Sequence, residues 1–297
     1  MMSPLIDAHC HLHDDRLWST TSLPNCERLQ GVICRARTAY LSHIVSCATH
    51  EQDWRVLQQL MEQQKDKSLR IVPAFGVHPW WVYGDDLTTL REMLTLYPTA
   101  LVGEIGLCQS GRGRQIPLTL QISAFLAQLK LAVEFKRPCV LHCVGYYSKL
   151  LEILRNVDHL PPVLVLHSFS GSPDMMRSFL TVQGTKVYIS LNAKQLTDPR
   201  MKKAAACCKE VPLEALLLET DAPDQAPSVE FVQHMFNQDD KDLLMLQEGC
   251  TGLNEPAIVK FALKSAAMIR SEAIEDLAAA VYQNCQAAFS LDDLDAN

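Results

Sequence analysis

The sequence predicts a (β/α)₈ barrel from two features of its hydrophobic pattern. Short apolar runs recur at fairly even intervals, and several are nearly continuous in Val, Ile and Leu, as in parallel strands buried on both faces. The segments between these runs carry apolar residues at helical spacing. Alternating strands and helices indicate a parallel sheet, and eight strands in 297 residues fit a closed barrel, which typically takes about 250 residues.

The predicted elements follow one another along the chain. The strands cover residues 5–9, 43–48, 70–79, 100–107, 139–143, 163–169, 187–191 and 215–221. The segments at residues 53–64, 87–97, 120–135 and 148–157 predict amphipathic helices. Residues 224–256 predict a long loop with a partial helix, and the tail from Ile274 predicts a final helix with an acidic, frayed end.

The alternative architecture for the same order of strands and helices is an open doubly wound sheet. The G-x-G-x-x-G and P-loop motifs that accompany many such sheets do not occur in the sequence. The sequence also contains no internal repeat, low-complexity tract or linker. We therefore predict that residues 1–297 form a single domain.

Composition and charge are those of an ordinary globular protein. The chain is 48% hydrophobic and 21% charged, and its formal net charge of -7 provides no bulk attraction for nucleic acid or anionic membranes. Bound divalent cations could still supply positive charge for a nucleic-acid substrate. The 11 cysteines lack framework spacing, and neither a signal peptide nor a membrane-crossing run is seen. This favours a cytoplasmic or nuclear protein with reduced thiols and no membrane partner.

Side chains that bind metals collect at the carboxyl ends of the predicted strands. His9 and His11 end the first strand, where positions i and i+2 point to the same side. In a (β/α)₈ barrel these strand ends surround one pocket, which is where such enzymes keep their active sites. The other candidates at strand ends are His78, Glu104, His142, His167, Glu219 and Asp221.

Six of these residues form a candidate ligand set. Imidazole and carboxylate together suit Zn²⁺, Mn²⁺ or another divalent ion. Six ligands exceed the requirement of one tetrahedral zinc, whereas two ions bridged by Glu104 would use them all. The set consists of His9, His11, Glu104, His142, His167 and Asp221.

The remaining candidates have structural alternatives. His78 is either functional or a packed, hydrogen-bonded histidine, and Glu219 either orients a ligand or forms a salt bridge. Cys108 is expected in the loop after the fourth strand and is interpreted as a bystander, together with Cys10 and Cys143. Structural or surface roles are expected for His13, His43, His50, His159 and His234.

A series of short motifs resembles a known family. They are DAHCHL (7–12), GVHP (76–79), GEIGL (103–107), LHC (141–143), LHSFSG (166–171), ETDAP (219–223) and NEP (254–256), followed by a final helix that contains Asn284. In this order and spacing they resemble the TatD family of metal-dependent deoxyribonucleases, within the amidohydrolase-like barrels. The similarity extends from Asp7 to about Phe289.

The resemblance implies a barrel that carries two divalent metal ions, either Zn, Mg or Mn. The residues that would hold the first ion are His9, His11, Glu104 and Asp221. Those that would hold the second are Glu104, His142 and His167. His78 would contact substrate phosphate, and Glu219 matches the acid two residues before the last ligand.

The chain departs from the family pattern after the fourth predicted strand. Cys108 stands where the family usually has Asp, which puts the surroundings of the ligands and the choice of substrate in doubt. The insert 109–117 places Arg112 and Arg114 above the pocket, where they would either grip phosphate or remain solvated. The acidic segment 237–242 is expected near the path of the substrate.

The predicted function is hydrolysis of phosphodiesters, with DNA ends as the expected substrate. The resemblance implies a 3′-5′ exonuclease. Glu104 would bridge the metals, Asp221 would orient or deprotonate the attacking water, and His78 would hold the phosphate. Hydrolysis of a small ester, lactone or amide on the same site is the alternative, followed by a non-enzymatic scaffold. The sequence leaves the oligomeric state open.

Overall fold

The strands form a single parallel sheet. The structure, a computed structural model, describes residues 3–17, 27–63, 68–83, 87–236 and 253–291. Eight strands within these residues are ordered in the sheet as they are in the sequence. They are β1 (Leu5–Cys10), β2 (Leu41–Cys47), β3 (Arg70–Phe75), β4 (Leu101–Cys108), β5 (Cys139–Val144), β6 (Val163–Leu166), β7 (Lys186–Asn192) and β8 (Leu216–Glu219).

Backbone hydrogen bonds join the end of the sheet to its beginning. The amide of Asp221 donates to the carbonyl of His9 at 2.9 Å, and the amide of His11 donates to the carbonyl of Ala222 at 2.7 Å. The segment after β8 therefore continues the sheet beside β1 and closes it. The predicted (β/α)₈ barrel is confirmed, and the open doubly wound alternative is wrong.

Helices alternate with the strands and cover the outside of the barrel. The described helices are α1 (Glu27–Thr38), α2 (Glu51–Gln63), α3 (Thr88–Leu96), α4 (Leu118–Glu134), α5 (Tyr147–Asn156), α6 (Pro173–Leu180), α7 (Ala193–Thr197), α8 (Lys202–Glu210), α9 (Val229–Met235), α10 (Val259–Arg270) and α11 (Ile274–Phe289). The four predicted amphipathic helices correspond to α2 to α5, and α9 is the partial helix of the predicted long loop. The predicted helices do not include α1, α6, α7, α8 or α10. α8 carries no large apolar side chain, whereas α6 has four in eight residues but is short.

Three strands end earlier than their apolar runs predict. β3, β6 and β8 stop two to four residues before the predicted ends. The chain turns out of the sheet there, and Ser168 and Asp221 have positive φ angles of 41° and 58°. His78, His167 and Asp221 therefore lie in the loops directly after these strands, which corrects their predicted placement at the strand ends.

The strands are buried on both faces, as their continuous apolar runs predict. Every residue of β1 and β4 is buried. β4 approaches β5 most closely at Gly106, where an added Cβ would lie 2.0 Å from the carbonyl oxygen of His142. The φ of Gly106 is 146°, so this contact between the two strands requires glycine.

None of the helices that the structure describes is long and apolar enough to cross a bilayer. Within the same residues, nine cysteines are free thiols, and all but Cys34 are buried. That residues 1–297 form one domain, and that the protein is cytoplasmic or nuclear, stay predictions.

Candidate metal centre

The polar side chains predicted at the strand ends converge on one cleft. The cleft has a volume of about 950 Å³ and opens at the carboxyl ends of the strands. His9 is fully buried beneath its floor. The residues of the predicted site that line it are His11, His78, Glu104, His142, His167 and Asp221. That these residues bind metal is a proposal.

The first group of donor atoms surrounds a point between β1, β4 and the loop after β8. His9 Nε2 lies 3.7 Å from Glu104 Oε2 and 3.6 Å from Asp221 Oδ1. His11 Nε2 lies 3.6 Å and 3.4 Å from the same two oxygens. A tetrahedral ion with ligands at about 2.1 Å places its donor atoms about 3.4 Å apart. The four atoms therefore fit around one divalent ion.

The second group faces the other oxygen of the same carboxylate. Glu104 Oε1 lies 2.6 Å from His167 Nε2 and 2.8 Å from His142 Nδ1. The two imidazole nitrogens are 3.1 Å apart. These are hydrogen-bond distances, so the second group is more compact than the first. Each oxygen of Glu104 thus serves a different group, which is the arrangement of a bridging carboxylate.

Burial and neighbouring charges shift the pKa values of the central groups. Burial opposes ionisation of Glu104, but His167 and His78 hold the pKa of its carboxyl well below the usual range. Burial, together with His167, lowers the pKa of His9 well below its ordinary value. His9 and His167 stack with ring centroids 4.0 Å apart. A neutral His9 beside an ionised Glu104 is the protonation pattern that metal ligands require.

His9 and the half-buried His11 each have a ring nitrogen that faces the first group. Neither ring nitrogen of His9 has a hydrogen-bond partner among the described residues. The Nδ1 of His11 lies 2.7 Å from the carbonyl oxygen of Cys47, so it carries the proton and leaves the Nε2 lone pair facing the first group. Metal-binding histidines commonly use the second nitrogen in this way. Without a metal, burial is outweighed by Asp221 and Glu104, which raise the pKa of His11 to about 9.

A network below the cleft positions Asp221. The carboxylate of Asp7, on β1, accepts hydrogen bonds from the amide and the hydroxyl of Thr220. The side-chain amide of Asn254 donates to the carbonyls of Thr220 and Asp224, both at 2.6 Å. The loop that carries Asp221 is therefore held on both sides. Sequence reasoning missed the role of Asp7, although it precedes the HxH motif.

Glu219 supports the loop that carries His167. Its Oε1 accepts hydrogen bonds from the amide and the hydroxyl of Ser168, both at 2.7 Å. The side-chain amide of Asn192 donates to the same hydroxyl at 2.8 Å. His167 Nδ1 lies 3.6 Å from Glu219 Oε1. Of the two interpretations of Glu219, the geometry favours the one in which it orients a ligand.

His78 lies at the edge of the second group. Its Nδ1 accepts a hydrogen bond from the amide of Trp80 at 3.1 Å, so the proton of the neutral ring is on Nε2. That Nε2 lies 3.7 Å from Glu104 Oε1. Burial and the neighbouring His142 lower the pKa of His78 well below its ordinary value. The ring therefore presents an N–H donor to the cleft rather than a lone pair for a metal.

Cys108 does not lie in the loop where the sequence reasoning placed it. It is the last residue of β4 and is fully buried, because the strand extends one residue beyond the predicted end. The indole N–H of Trp80 lies 3.1 Å from its sulfur. Burial opposes ionisation of the thiol, but His142 and Ser110 lower its pKa to about 7. The thiol of Cys108 therefore interacts with His142, one of the candidate ligands.

The other histidines differ in exposure. His159 and His234 are exposed, as predicted, and His43 is buried. His13 and His50 line the cleft and contact the carboxylate of Asp53 at 3.2 Å and 2.7 Å. Burial opposes ionisation of Asp53, but His13 and Thr49 hold its pKa well below the usual range. The sequence analysis did not single out this carboxylate.

The two arginines of the insert are placed differently. The guanidinium of Arg112 lies 4.0 Å from the ring centroid of Trp81 and lines the cleft. Arg114 is exposed, lies outside the cleft lining and donates to the carbonyl of Gln109. Of the two arginines, only Arg112 is placed to contact a substrate in the cleft. The acidic segment 237–242 lies outside the described residues.

The barrel and its cluster of candidate ligands form a site of the type found in metal-dependent hydrolases. A sequence profile of the family described as TatD related DNase matches residues 6–290. The chain therefore belongs to the TatD family.

Several relatives are similar over most of this chain. YjjV of Escherichia coli, described as an uncharacterized metal-dependent hydrolase, is 31% identical over 75% of this chain and 81% of its own. The crystal structure of YjjV matches with a TM-score of 0.77 and 28% identity, covering 98% of this chain and 99% of that one. A 3′-5′ ssDNA/RNA exonuclease TatD of Erwinia amylovora is 27% identical over 88% of this chain and 93% of its own. The human 3′-5′ RNA nuclease TATDN2 is 30% identical over 73% of this chain, which spans only 28% of that protein.

Proposed function

We propose that this protein is a metal-dependent phosphodiesterase that shortens single-stranded nucleic acid from its 3′ end. The observation that carries the proposal is the position of Glu104. One carboxylate oxygen lies among His9, His11 and Asp221, and the other lies beside His142 and His167. The two groups form the floor of an open cleft, where a phosphodiester could reach both.

The donor set fits two divalent ions. His9, His11, Glu104 and Asp221 would hold the first, and Glu104, His142 and His167 would hold the second. Such ions, when bound, supply a water that is deprotonated at neutral pH and stabilise negative charge on phosphoryl oxygens. The mixture of imidazole and carboxylate suits Zn²⁺ or Mn²⁺, and Mg²⁺ is the third candidate.

The chain's own residues would orient the reaction. The side chain of Asp221 is 12% exposed, so one carboxylate oxygen can accept a proton from the attacking water while the loop network fixes its position. The Nε2–H of His78 would donate to a phosphate oxygen. Arg112 would add a positive charge at the edge of the cleft.

The choice of nucleic acid as substrate rests on the relatives and on the cations of the cleft. Relatives of similar length are named as exonucleases of single-stranded DNA and RNA. Of the cations that line the cleft, Arg112 and Lys194 have no acid within salt-bridge distance among the described residues. Both are available for phosphate, despite the overall charge of -7.

The test is hydrolysis of 5′-labelled single-stranded DNA and RNA by protein reconstituted with Zn²⁺, Mn²⁺ or Mg²⁺. We expect a ladder of products that shortens from the 3′ end, and no ladder with the Glu104→Ala variant. Glu92→Ala, an exposed acid on α3, is the matched control and should cleave like the wild type. A Glu104→Ala variant with normal rate and metal content would contradict the proposal.

The same experiment separates the polymer from a small substrate. Cleavage of a polyanion should weaken steeply as salt increases, whereas hydrolysis of a small ester should not. If neither DNA nor RNA is shortened but a small ester, lactone or amide is hydrolysed, the site is that of a small-molecule hydrolase.

A further inference from the structure

A second cleft adjoins the metal cleft, and Trp81 belongs to both. The second cleft has a volume of about 800 Å³. The two share His50, Gln52 and Trp81, so the indole forms part of the wall between them. The second cleft continues over Arg55 and Tyr83, both of which are exposed. A chain-like ligand that leaves the metal cleft past Trp81 would therefore enter the second one.

Trp81 is the centre of a stack of planar groups. The ring of His50 lies parallel to it, with centroids 4.5 Å apart and an angle of 11° between the planes. The guanidinium carbon of Arg112 lies 4.0 Å from the Trp81 ring centroid and 5.2 Å from that of Trp80. Two indoles thus hold the guanidinium by cation–π contact.

Trp80 connects this stack to the metal centre. Its indole N–H lies 3.1 Å from both Cys108 Sγ and Ser110 Oγ, which fixes the ring. The Trp80 ring centroid lies 6.3 Å from that of His142. Aromatic and guanidinium groups therefore follow one another from a candidate metal ligand to the edge of the second cleft.

Arg112 differs from Arg16 in the acids that surround it. Arg16, another cation of the cleft, is bound to the carboxylates of Asp14 and Asp224. Arg112 is exposed and has no such acid partner among the described residues. A guanidinium held against aromatic rings, with no acid partner, offers N–H donors to phosphate and a plane on which a base can stack.

We propose that Arg112 and Trp81 form a binding site for the nucleotide next to the one that is cleaved, and that the strand continues from there into the second cleft. The base would extend the stack of Trp81 and Arg112, and the following nucleotides would lie along Arg55 and Tyr83. Stacking of this kind accepts any base, which suits a substrate without sequence preference. The inference rests on the proposed function and names the part of the substrate that this surface recognises.

Binding and kinetics of the metal-loaded protein test the proposal. Fluorescence anisotropy would measure the Kd for a labelled, phosphorothioate-linked single strand, and steady-state assays would give KM and kcat for the unmodified strand. We expect Trp81→Ala and Arg112→Ala to raise Kd and KM about tenfold or more, because a stacked base is lost. The effect on kcat should be much smaller, because neither residue lies among the candidate ligands.

Conservative variants and a neighbouring arginine provide the controls. Trp81→Phe should retain most of the affinity, since an aromatic ring remains to hold Arg112. Arg112→Lys should retain less, since the charge remains but the plane is lost. Arg114→Ala removes an arginine from the same loop that lies outside the cleft lining, and should leave Kd unchanged. If Trp81→Ala fails to fold, the exposed Arg112 still carries the test.

The outcomes separate this inference from the proposed function. Normal cleavage by the wild type, together with unchanged Kd and KM in Trp81→Ala and Arg112→Ala, would overturn the binding site alone. Absence of both binding and cleavage in the metal-loaded wild type would overturn the proposed function and this inference with it. The path through the second cleft would be overturned if Trp81→Ala and Arg112→Ala lost the same factor of affinity for the strand and for a dinucleotide too short to reach Tyr83.

Discussion

The carboxylate of Asp7 accepts two hydrogen bonds from Thr220, one from the amide at 2.9 Å and one from the hydroxyl at 2.6 Å. The two residues are 213 positions apart in the sequence. They join the start of the barrel to the loop that carries Asp221, directly below the candidate metal centre. Asp7 and Thr220 are both fully buried.

Removal of the Asp7 carboxylate should therefore loosen the closure of the barrel. In Asp7→Ala the amide and hydroxyl of Thr220 would lose their acceptor, and we expect the free energy of unfolding to fall by about 2–4 kcal/mol. Asp7→Asn keeps one acceptor oxygen. Because burial raises the pKa of Asp7, a neutral side chain is tolerated at this position, and Asp7→Asn should lose less stability than Asp7→Ala. Urea denaturation of the three proteins measures the difference. Equal stability of Asp7→Ala and the wild type would show that the contact contributes nothing.

Gly106 should be irreplaceable where β4 meets β5. An added methyl group would lie 2.0 Å from the carbonyl oxygen of His142, at a φ that other residues avoid. We expect Gly106→Ala to lose about 3 kcal/mol or more of stability, since both strain and displaced strands contribute. Gly111→Ala is the control, because its added methyl group meets no atom within 4 Å. Thermal unfolding should separate the two variants clearly.

Cys108 should not be a metal ligand, although it contacts one. Its sulfur is engaged by the indole of Trp80 and the hydroxyl of Ser110. We expect Cys108→Ala to bind as much metal as the wild type, with stability lower by about 1 kcal/mol from the small cavity. Elemental analysis of the purified proteins gives the answer. Loss of one metal equivalent would identify a thiolate ligand and correct the assignment of six ligands.

The carboxylate of Asp53 should make stability depend on acid pH. Its folded pKa lies below the usual range, because hydrogen bonds from His13 and Thr49 outweigh burial. A depressed folded pKa gives stabilisation that is present above the unfolded pKa, about 4, and is lost as pH falls toward the folded value. Asp53→Asn should therefore melt several degrees below the wild type at neutral pH, and this difference should shrink below about pH 4. A difference that is constant across pH would contradict the assignment.

The sequence predicted the barrel and the convergence of the candidate ligands on one site, because both depend on local patterns. Continuous apolar runs identified all eight strands, and the HxH motif identified His9 and His11. The geometry of the loops after the strands was harder to predict from the sequence. After β6 and β8 the chain turns at Ser168 and Asp221, which have positive φ angles that apolar periodicity does not report.

Contacts between distant residues could not be predicted from one sequence. Asp53 was read only as part of an amphipathic helix, yet it binds two histidines that line the cleft. From the sequence, Arg112 and Arg114 were equivalent candidates. In the structure Arg112 contacts the Trp81 ring, whereas Arg114 donates to a backbone carbonyl. Cys108 was misplaced because a one-residue extension of β4 decides whether its side chain is buried.

Anomalous diffraction from crystals soaked in Zn²⁺ or Mn²⁺ would show whether Glu104 bridges two metal ions. We expect two peaks, one on each side of the Glu104 carboxylate. The first should lie among His9, His11 and Asp221, and the second beside His142 and His167. A single peak, or peaks that do not contact Glu104, would contradict the bridging carboxylate on which the proposed function rests.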